Sequence, residues 1–211
     1  MRLKNKVAVI TGAAAGMGLA MATRFAAEGA QVVAGDWNGQ RLEDAVKIIR
    51  AAGGSIVSAQ GNIADQADAE HLIDLAISQY GRIDVLCNNA GVMDYMQGVA
   101  ELDNDMWRRV LGINLDGPMF TCRRAIPHML RQGGGSIINV ASVAGVSGAS
   151  AGAAYTASKH ALIGLTRQTA WRYAKDGIRT NAICPGAVNT NIQESMPQDK
   201  LDAAGFARAM E

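Results

Sequence analysis

The stretch VAVITGAAAGMG, Val7 to Gly18, decides how this chain is read. Its first part is a short β-branched run of the kind that forms a buried strand, and Thr11 and Gly12 end it. The glycine-rich turn then opens directly into an amphipathic segment expected to be helical from Gly16 to Glu28. Glycines let a backbone turn tightly and approach a ligand closely. The start of a helix offers unpaired N–H groups and the positive end of a dipole, which together suit a pyrophosphate. The spacing, Gly12, then Gly16 and Gly18, differs from GxGxxG, and such a turn by itself is compatible with a plain strand-to-helix connection. The basic MRLKNK before it imitates a secretory leader, but Thr11, Gly12, Gly16 and Gly18 interrupt the apolar run, which is also too short and glycine-rich for a membrane span. A cytoplasmic location is therefore expected.

Outward from this stretch, short apolar runs alternate with longer helix-like ones. VAVIT, QVVAG, SIVSAQ, IDVLCN, SIINVAS and RTNAIC read as strands. Helices are expected at about Gly16 to Glu28, Gln40 to Ala52, Asp65 to Gln79, Asp103 to Arg131 and Ala153 to Lys175. The strand runs are almost continuously apolar, as required when helices cover both faces of a parallel sheet. The expected fold is α/β: a Rossmann-type doubly wound parallel sheet with helices on both faces, in one domain over residues 1–211.

Composition narrows the function classes. With 211 residues, 49% of them hydrophobic, the chain can bury a sizeable core. The formal net charge is +1, and no basic run interleaved with aromatics is present, so nucleic acid is not an expected partner. The three cysteines form no CxxC pair and the three histidines are scattered, which points to a reducing compartment and no metal site.

Ligands of open parallel sheets bind beyond the C-terminal strand ends, and the polar motifs fall there. Asp36 closes the second run, where an acid can accept hydrogen bonds from ribose hydroxyls and repel a 2′-phosphate. Trp37 comes next, and the glycine-rich turn holds no Arg or Lys, so NAD is expected over NADP. NNAG, Asn88 to Gly91, ends the fourth run with small residues and amides able to pin strand ends. Ser142 comes after the fifth run, and Tyr155 and Lys159 share one helical face at i and i+4.

Together these residues resemble the short-chain dehydrogenase/reductase family over Lys6 to about Ile192. TGxxxGxG stands at Thr11 to Gly18, NNAG at Asn88 to Gly91, the helical Asn at Asn114, the Ser at Ser142, YxxxK at Tyr155 to Lys159, and PG at Pro185-Gly186, all in order. The nearest likeness is to the 3-oxoacyl-acyl-carrier-protein reductase and glucose 1-dehydrogenase groups. The resemblance implies an NAD(H)-dependent oxidoreductase that interconverts a secondary alcohol and a ketone.

In that scheme Tyr155 is the general acid/base, and Lys159 favours its phenolate and binds the nicotinamide ribose. Ser142 donates to the substrate oxygen, and Asn114 belongs to a proton relay. Cofactor contacts are implied for Gly12, Ala15, Gly16, Met17 and Gly18, then Asp36 and Trp37 at the ribose. Asn62 and Ile63 would meet the adenine, with Asn62 standing where the family commonly has Asp. Asn89, Ala90 and Gly91 would lie just beyond the fourth strand, and Pro185, Gly186, Val188 and Thr190 at the nicotinamide carboxamide.

One residue resists a simple reading. GINLDGPMF, Gly112 to Phe120, lies inside an expected helix yet carries Pro118. The N–H of residue i+4 bonds the carbonyl of residue i, so Pro118 deprives the Asn114 carbonyl of its helical partner and should kink the helix. The resemblance implies that this carbonyl holds a water relaying protons toward Lys159. A protein donor on it would contradict that role.

The chain departs from the family at its end. Residues 189–211 read as a partial substrate lid, and the seventh strand of the family is expected to be missing. The remaining walls, from Val92 and from Val143, are small and weakly polar and suit a modest neutral alcohol or ketone. The resemblance also implies a homodimer or homotetramer paired through the helices that hold Asn114 and Tyr155. Two other readings stay open: a non-catalytic NAD-binding protein, and an NADP-dependent 3-oxoacyl reductase.

Overall fold

The alternation of short and long apolar runs becomes one parallel sheet. In the computed structural model, which describes residues 1–209, six strands lie in the order β3-β2-β1-β4-β5-β6. They are β1 (Val7–Thr11), β2 (Gln31–Asp36), β3 (Ser55–Gln60), β4 (Val85–Asn88), β5 (Gly135–Val140) and β6 (Ile178–Ile183). The helices are α1 (Gly16–Ala27), α2 (Gly39–Ala51), α3 (Gln66–Tyr80), α4 (Asn104–Leu111), α5 (Gly117–Arg131), α6 (Ala153–Tyr173) and α7 (Ala203–Ala209). Positions 210 and 211 of the expected lid lie outside the described residues.

Strand periodicity sorts the core into two layers. Val7, Val9, Val33, Leu86 and Ile137 face α3 and α5, whereas Ala8, Ile10, Val32, Ala34 and Cys87 face α1 and α2. Every residue of β1 is buried, which explains why it reads as a continuous apolar run. Right-handed crossovers place α1 and α2 on one face as the chain steps from β1 to β3, and α3 and α5 on the other as it returns to β4 and goes on to β5. The return makes β1 and β4 neighbours at the point where strand order reverses. The crevice outside their carboxyl ends is where such sheets bind ligands.

Strand and helix ends obey local chemistry. β4 begins later than the run IDVLCN suggests, because the Asp84 carboxylate turns back to accept the Val7 N–H at 2.9 Å and is flanked by Lys6 and Arg82. Asn38, Asp65 and Asp103 cap α2, α3 and α4 with their own side chains.

The single helix expected from Asp103 to Arg131 is instead three pieces. Between α4 and α5 lies one wide π turn, Gly112–Asp116, in which the Gly117 N–H reaches back to the Gly112 carbonyl. Pro118 stands in the first turn of α5, where its missing N–H is tolerated. The helix thus accommodates the proline by widening one turn ahead of it, an outcome that position counting does not specify. Gly117 makes room for the loop after β3: a Cβ there would meet the Ile63 carbonyl at 2.9 Å. Among the described residues no helix is long and apolar enough to cross a membrane.

Candidate active site

The glycine-rich turn runs from β1 into α1 at the crevice. Gly12 and Gly16 have φ of +64° and +51°, conformations that L side chains rarely adopt. Unlike the next three helices, α1 starts without a side-chain cap, and its first turn holds no acidic residue. Its orphan N–H groups and dipole are left for an anion. The Thr11 hydroxyl accepts the N–H groups of Asn89 and Ala90, both at 3.0 Å, and the Asn89 amide donates to the carbonyls of Thr11 and Gly12. The NNAG amide therefore does pin two strand ends together. Gly18 departs from its expected place on the cofactor wall. It is buried against the Gly12 carbonyl and the Asn89 amide, where any Cβ would collide, so it serves helix packing.

A cleft of about 950 Å³ opens here. Gly12, Ala15, Gly16 and Met17 line it on one side, Ala90 and Gly91 on another. Asp36 and Trp37 stand at its β2 end, with the Trp37 indole 73% exposed. The Asp36 carboxylate accepts the N–H of Ala14 at 3.0 Å and of Asn38 at 2.9 Å, which fixes its orientation while each oxygen keeps a further lone pair. Asn62 and Ile63 also line the cleft. The Asn62 side-chain oxygen already accepts the Ala64 N–H, so its amide NH₂ is the group left to meet a base. The residue reaching the Asn62 backbone is Asp68, whose position in the sequence marks it only as a helix-surface acid.

The catalytic candidates gather behind the Gly91–Val92 wall, and Asn114, Ser142, Tyr155 and Lys159 do not themselves line the cleft. A Cβ on Gly91 would lie 3.3 Å from the Asn114 side-chain oxygen and 3.4 Å from the Lys159 Nζ, so this glycine lets the cleft floor sit on both. Asn114, in the π turn, is completely buried. Its side chain exchanges hydrogen bonds with the Val92 backbone and donates to the Ser158 hydroxyl at 3.1 Å. The Gly117 N–H goes back to Gly112, and Pro118 has no N–H to offer the Asn114 carbonyl.

Tyr155 is 6% exposed. Burial pushes its phenol pKa up, the nearby Ser142 hydroxyl pulls it back, and the Asp94 charge adds to the rise. Lys159 is buried too, which pushes its pKa down to about 8; its Nζ donates to the Val140 carbonyl at 2.9 Å and lies 5.4 Å from the Tyr155 ring centre. Burial thus disfavours the charged form of both groups, raising the phenol and lowering the lysine.

Asp94 carries no signal in the sequence, where it is an isolated acid in a loop. It is fully buried and its carboxylate accepts the N–H groups of Met96, Gly152 and Tyr155, the last at 2.8 Å. α6 has no cap from Gly152, so Asp94 supplies one from a distant loop and ties that loop to the turn bearing Tyr155. Only its pairing with glycine and tyrosine N–H groups far along the chain identifies it.

The segment after β6 is divided. The Pro185 carbonyl accepts the Val143 N–H, but Gly186 and the half-exposed Val188 do not line the cleft, whereas Thr190 does. A Cβ on Gly16 would meet Thr190 Cβ at 3.0 Å, so the C-terminal segment crosses directly over the glycine-rich turn.

The short chain dehydrogenase family profile matches residues 6–201. The 3beta-hydroxysteroid dehydrogenase 2 of Eggerthella lenta is 40% identical over 98% of this chain and 79% of its own length. The meso-2,3-butanediol dehydrogenase of Serratia marcescens is 42% identical over 96% and 79%, and the 3-oxoacyl-[acyl-carrier-protein] reductase FabG of Thermotoga maritima 38% over 97% and 82%. Among solved structures, a short chain dehydrogenase/reductase of Burkholderia phymatum in complex with NAD superposes with a TM-score of 0.90 at 30% identity, covering 100% of this chain and 78% of that one. The order of motifs, the six-stranded parallel sheet and these matches lead to one conclusion: the chain belongs to the short-chain dehydrogenase family of oxidoreductases.

Proposed function

We propose that the protein is an NAD(H)-dependent oxidoreductase that interconverts a secondary alcohol and a ketone, with Tyr155 as general acid/base. The observation that carries this reading is the buried Tyr155 phenol, with the Ser142 hydroxyl and Lys159 beside it, behind the Gly91–Val92 wall of the cleft that Asp36 also lines. The residues fit a dinucleotide: the uncapped start of α1 suits a pyrophosphate, and the Asp36 carboxylate suits ribose hydroxyls. When bound, a nicotinamide supplies or accepts the hydride.

The chain's own groups handle the proton. With its pKa raised, Tyr155 holds its proton at neutral pH and is ready to give it to a carbonyl oxygen. Ser142 is placed to donate to the same oxygen as charge develops. In oxidation the phenol must first lose its proton, and the buried ammonium of Lys159 supports that step. The Asn114 carbonyl is an acceptor for a water that carries the proton onward. Val92, Met93, Tyr95 and Ala151 pack with Tyr155 and give the substrate an apolar wall, in keeping with a neutral alcohol or ketone. A homo-oligomer is part of the proposal, supported by Trp107, Leu130 and Trp171, all exposed on α4, α5 and α6; light scattering on the purified protein tests it.

The deciding experiment is titration with NADH and NADPH, then a panel of ketones and secondary alcohols with the tighter nucleotide. Tighter NADH with turnover supports the reading. Preference for NADPH with turnover of 3-oxoacyl thioesters would replace it, and binding without turnover on any substrate would favour a binding protein.

A further inference from the structure

Asp36 is the acid that favours NAD(H), yet a second acid stands at the same corner and comes from the other end of the chain. Arg41, in the first turn of α2, lines the cleft with Asp36. Its guanidinium is held by Glu194 through two bonds, Nη1 to Oε2 at 2.7 Å and Nη2 to Oε1 at 3.2 Å. The Glu194 bond raises the Arg41 pKa, with its charge and then that of Asp36 adding to the effect, so Arg41 lies within the field of both acids. The other cation lining the cleft among the described residues, Arg109, belongs to α4 and contacts Met106.

Glu194 sits in the short 3-10 helix Asn191–Ser195. This segment lies along the cleft: Thr190 and Asn191 cover Gly16, and the Ser195 hydroxyl accepts the Met93 N–H at 3.0 Å. Glu194 is therefore delivered to the ribose corner by the strap that crosses the glycine-rich turn.

We propose that Glu194 is a second cofactor-selecting residue, which occupies the Arg41 fork and denies that cation to a 2′-phosphate. The inference rests on the NAD(H) reading above and deepens it. A guanidinium matches phosphate and carboxylate equally well in shape, so a 2′-phosphate has to displace Glu194 before it can use Arg41. With Glu194 in place, two carboxylates face one guanidinium and the corner is net negative. Without its charge, the corner is neutral and the fork is open. Arg41 and Glu194 are 45% and 57% exposed, so their pairing matters little to folding and can be removed cleanly.

The test is fluorescence titration of the wild-type protein, Glu194→Gln, Arg41→Gln and the double variant with NADH and with NADPH. Glu194→Gln is expected to tighten NADPH about fivefold, the scale of one exposed charge-assisted pair, and to leave NADH within about twofold. Adding Arg41→Gln removes the gain, whereas Arg41→Gln alone changes NADPH little. Equal weakening of both nucleotides in Glu194→Gln would assign Glu194 to holding the strap and overturn the proposal, as would unchanged NADPH affinity. If wild-type protein prefers NADPH, the NAD(H) reading fails on its own, and the ratio of variant to wild type still decides the part of Glu194.

Discussion

The two ends of the cleft are made of different material. The glycine-rich end is backbone: two glycines at positive φ, the uncapped start of α1, and one carboxylate held by backbone N–H groups, all within residues 11–38. The tyrosine end is side chain: Asn114, Ser142 and the Tyr155–Lys159 pair come from three separate stretches of the chain and are placed by buried polar contacts such as Asp94. A backbone site is fixed by local conformation and asks little of the rest of the molecule. A site of buried polar side chains must satisfy each donor and acceptor, so its chemistry and the stability of the fold are linked.

This contrast can be broken most directly by one change at each end. Tyr155→Phe is expected to lower turnover by roughly 10²- to 10⁴-fold, the range of a lost general acid, with NADH binding retained. Gly16→Val, strained at φ +51° and pressed onto Thr190, is expected to lose NADH binding instead. Kinetics and nucleotide titration on both variants check the pair; loss of binding in Tyr155→Phe would show that the ends are not separable.

Asp94→Ala probes the cost of the side-chain end. It strands three buried N–H groups and is expected to destabilise the protein by about 3 kcal/mol, with Asp94→Asn milder because an amide oxygen still accepts. Denaturant midpoints measure this, and an unchanged midpoint in the alanine variant would refute the linkage of site and stability.

A smaller effect is expected at the π turn. Pro118→Ala restores an N–H that can close onto the Asn114 carbonyl, and turnover should fall roughly tenfold, a fraction of a general acid–base contribution. NADH binding should hold. Unimpaired turnover would reduce the wide turn to a packing adaptation.

The smallest signal lies in the pH dependence of stability. Folded Lys159 releases its proton near a pKa of about 8, against 10.5 for the ordinary side chain. Between those values the unfolded chain binds more protons, so this group makes stability rise with pH. Above the ordinary phenol range Tyr155 also binds its proton more tightly in the folded chain, so it acts in the opposite sense and stability falls with pH there. Urea midpoints at about pH 7.5 and 9.5 should show a rise that Lys159→Met diminishes; equal slopes in both proteins would argue against a depressed lysine.

Much of the fold is legible in the sequence because a strand buried on both faces must be continuously apolar, and VAVIT marks its span directly. The wide turn at Gly112–Asp116 is half legible: Pro118 announces a lost hydrogen bond, but whether the helix bends or widens depends on what packs around Gly117, here Ile63. Gly18 is read from spacing alone, and a glycine packed as closely as this one looks the same in sequence as one that only meets a ligand.

Sequence alone determined the alternating sheet, the strand ends where a ligand belongs, and the order of the motifs, because each arises from local periodicity or from glycine and proline geometry. Only the tertiary structure decided that Asp94 caps the tyrosine helix, that burial raises the Tyr155 phenol and lowers Lys159, and that Glu194 reaches Arg41. Those three depend on charges and N–H groups far apart in the chain meeting where water is excluded or a cleft is shared, and no local pattern records such a meeting.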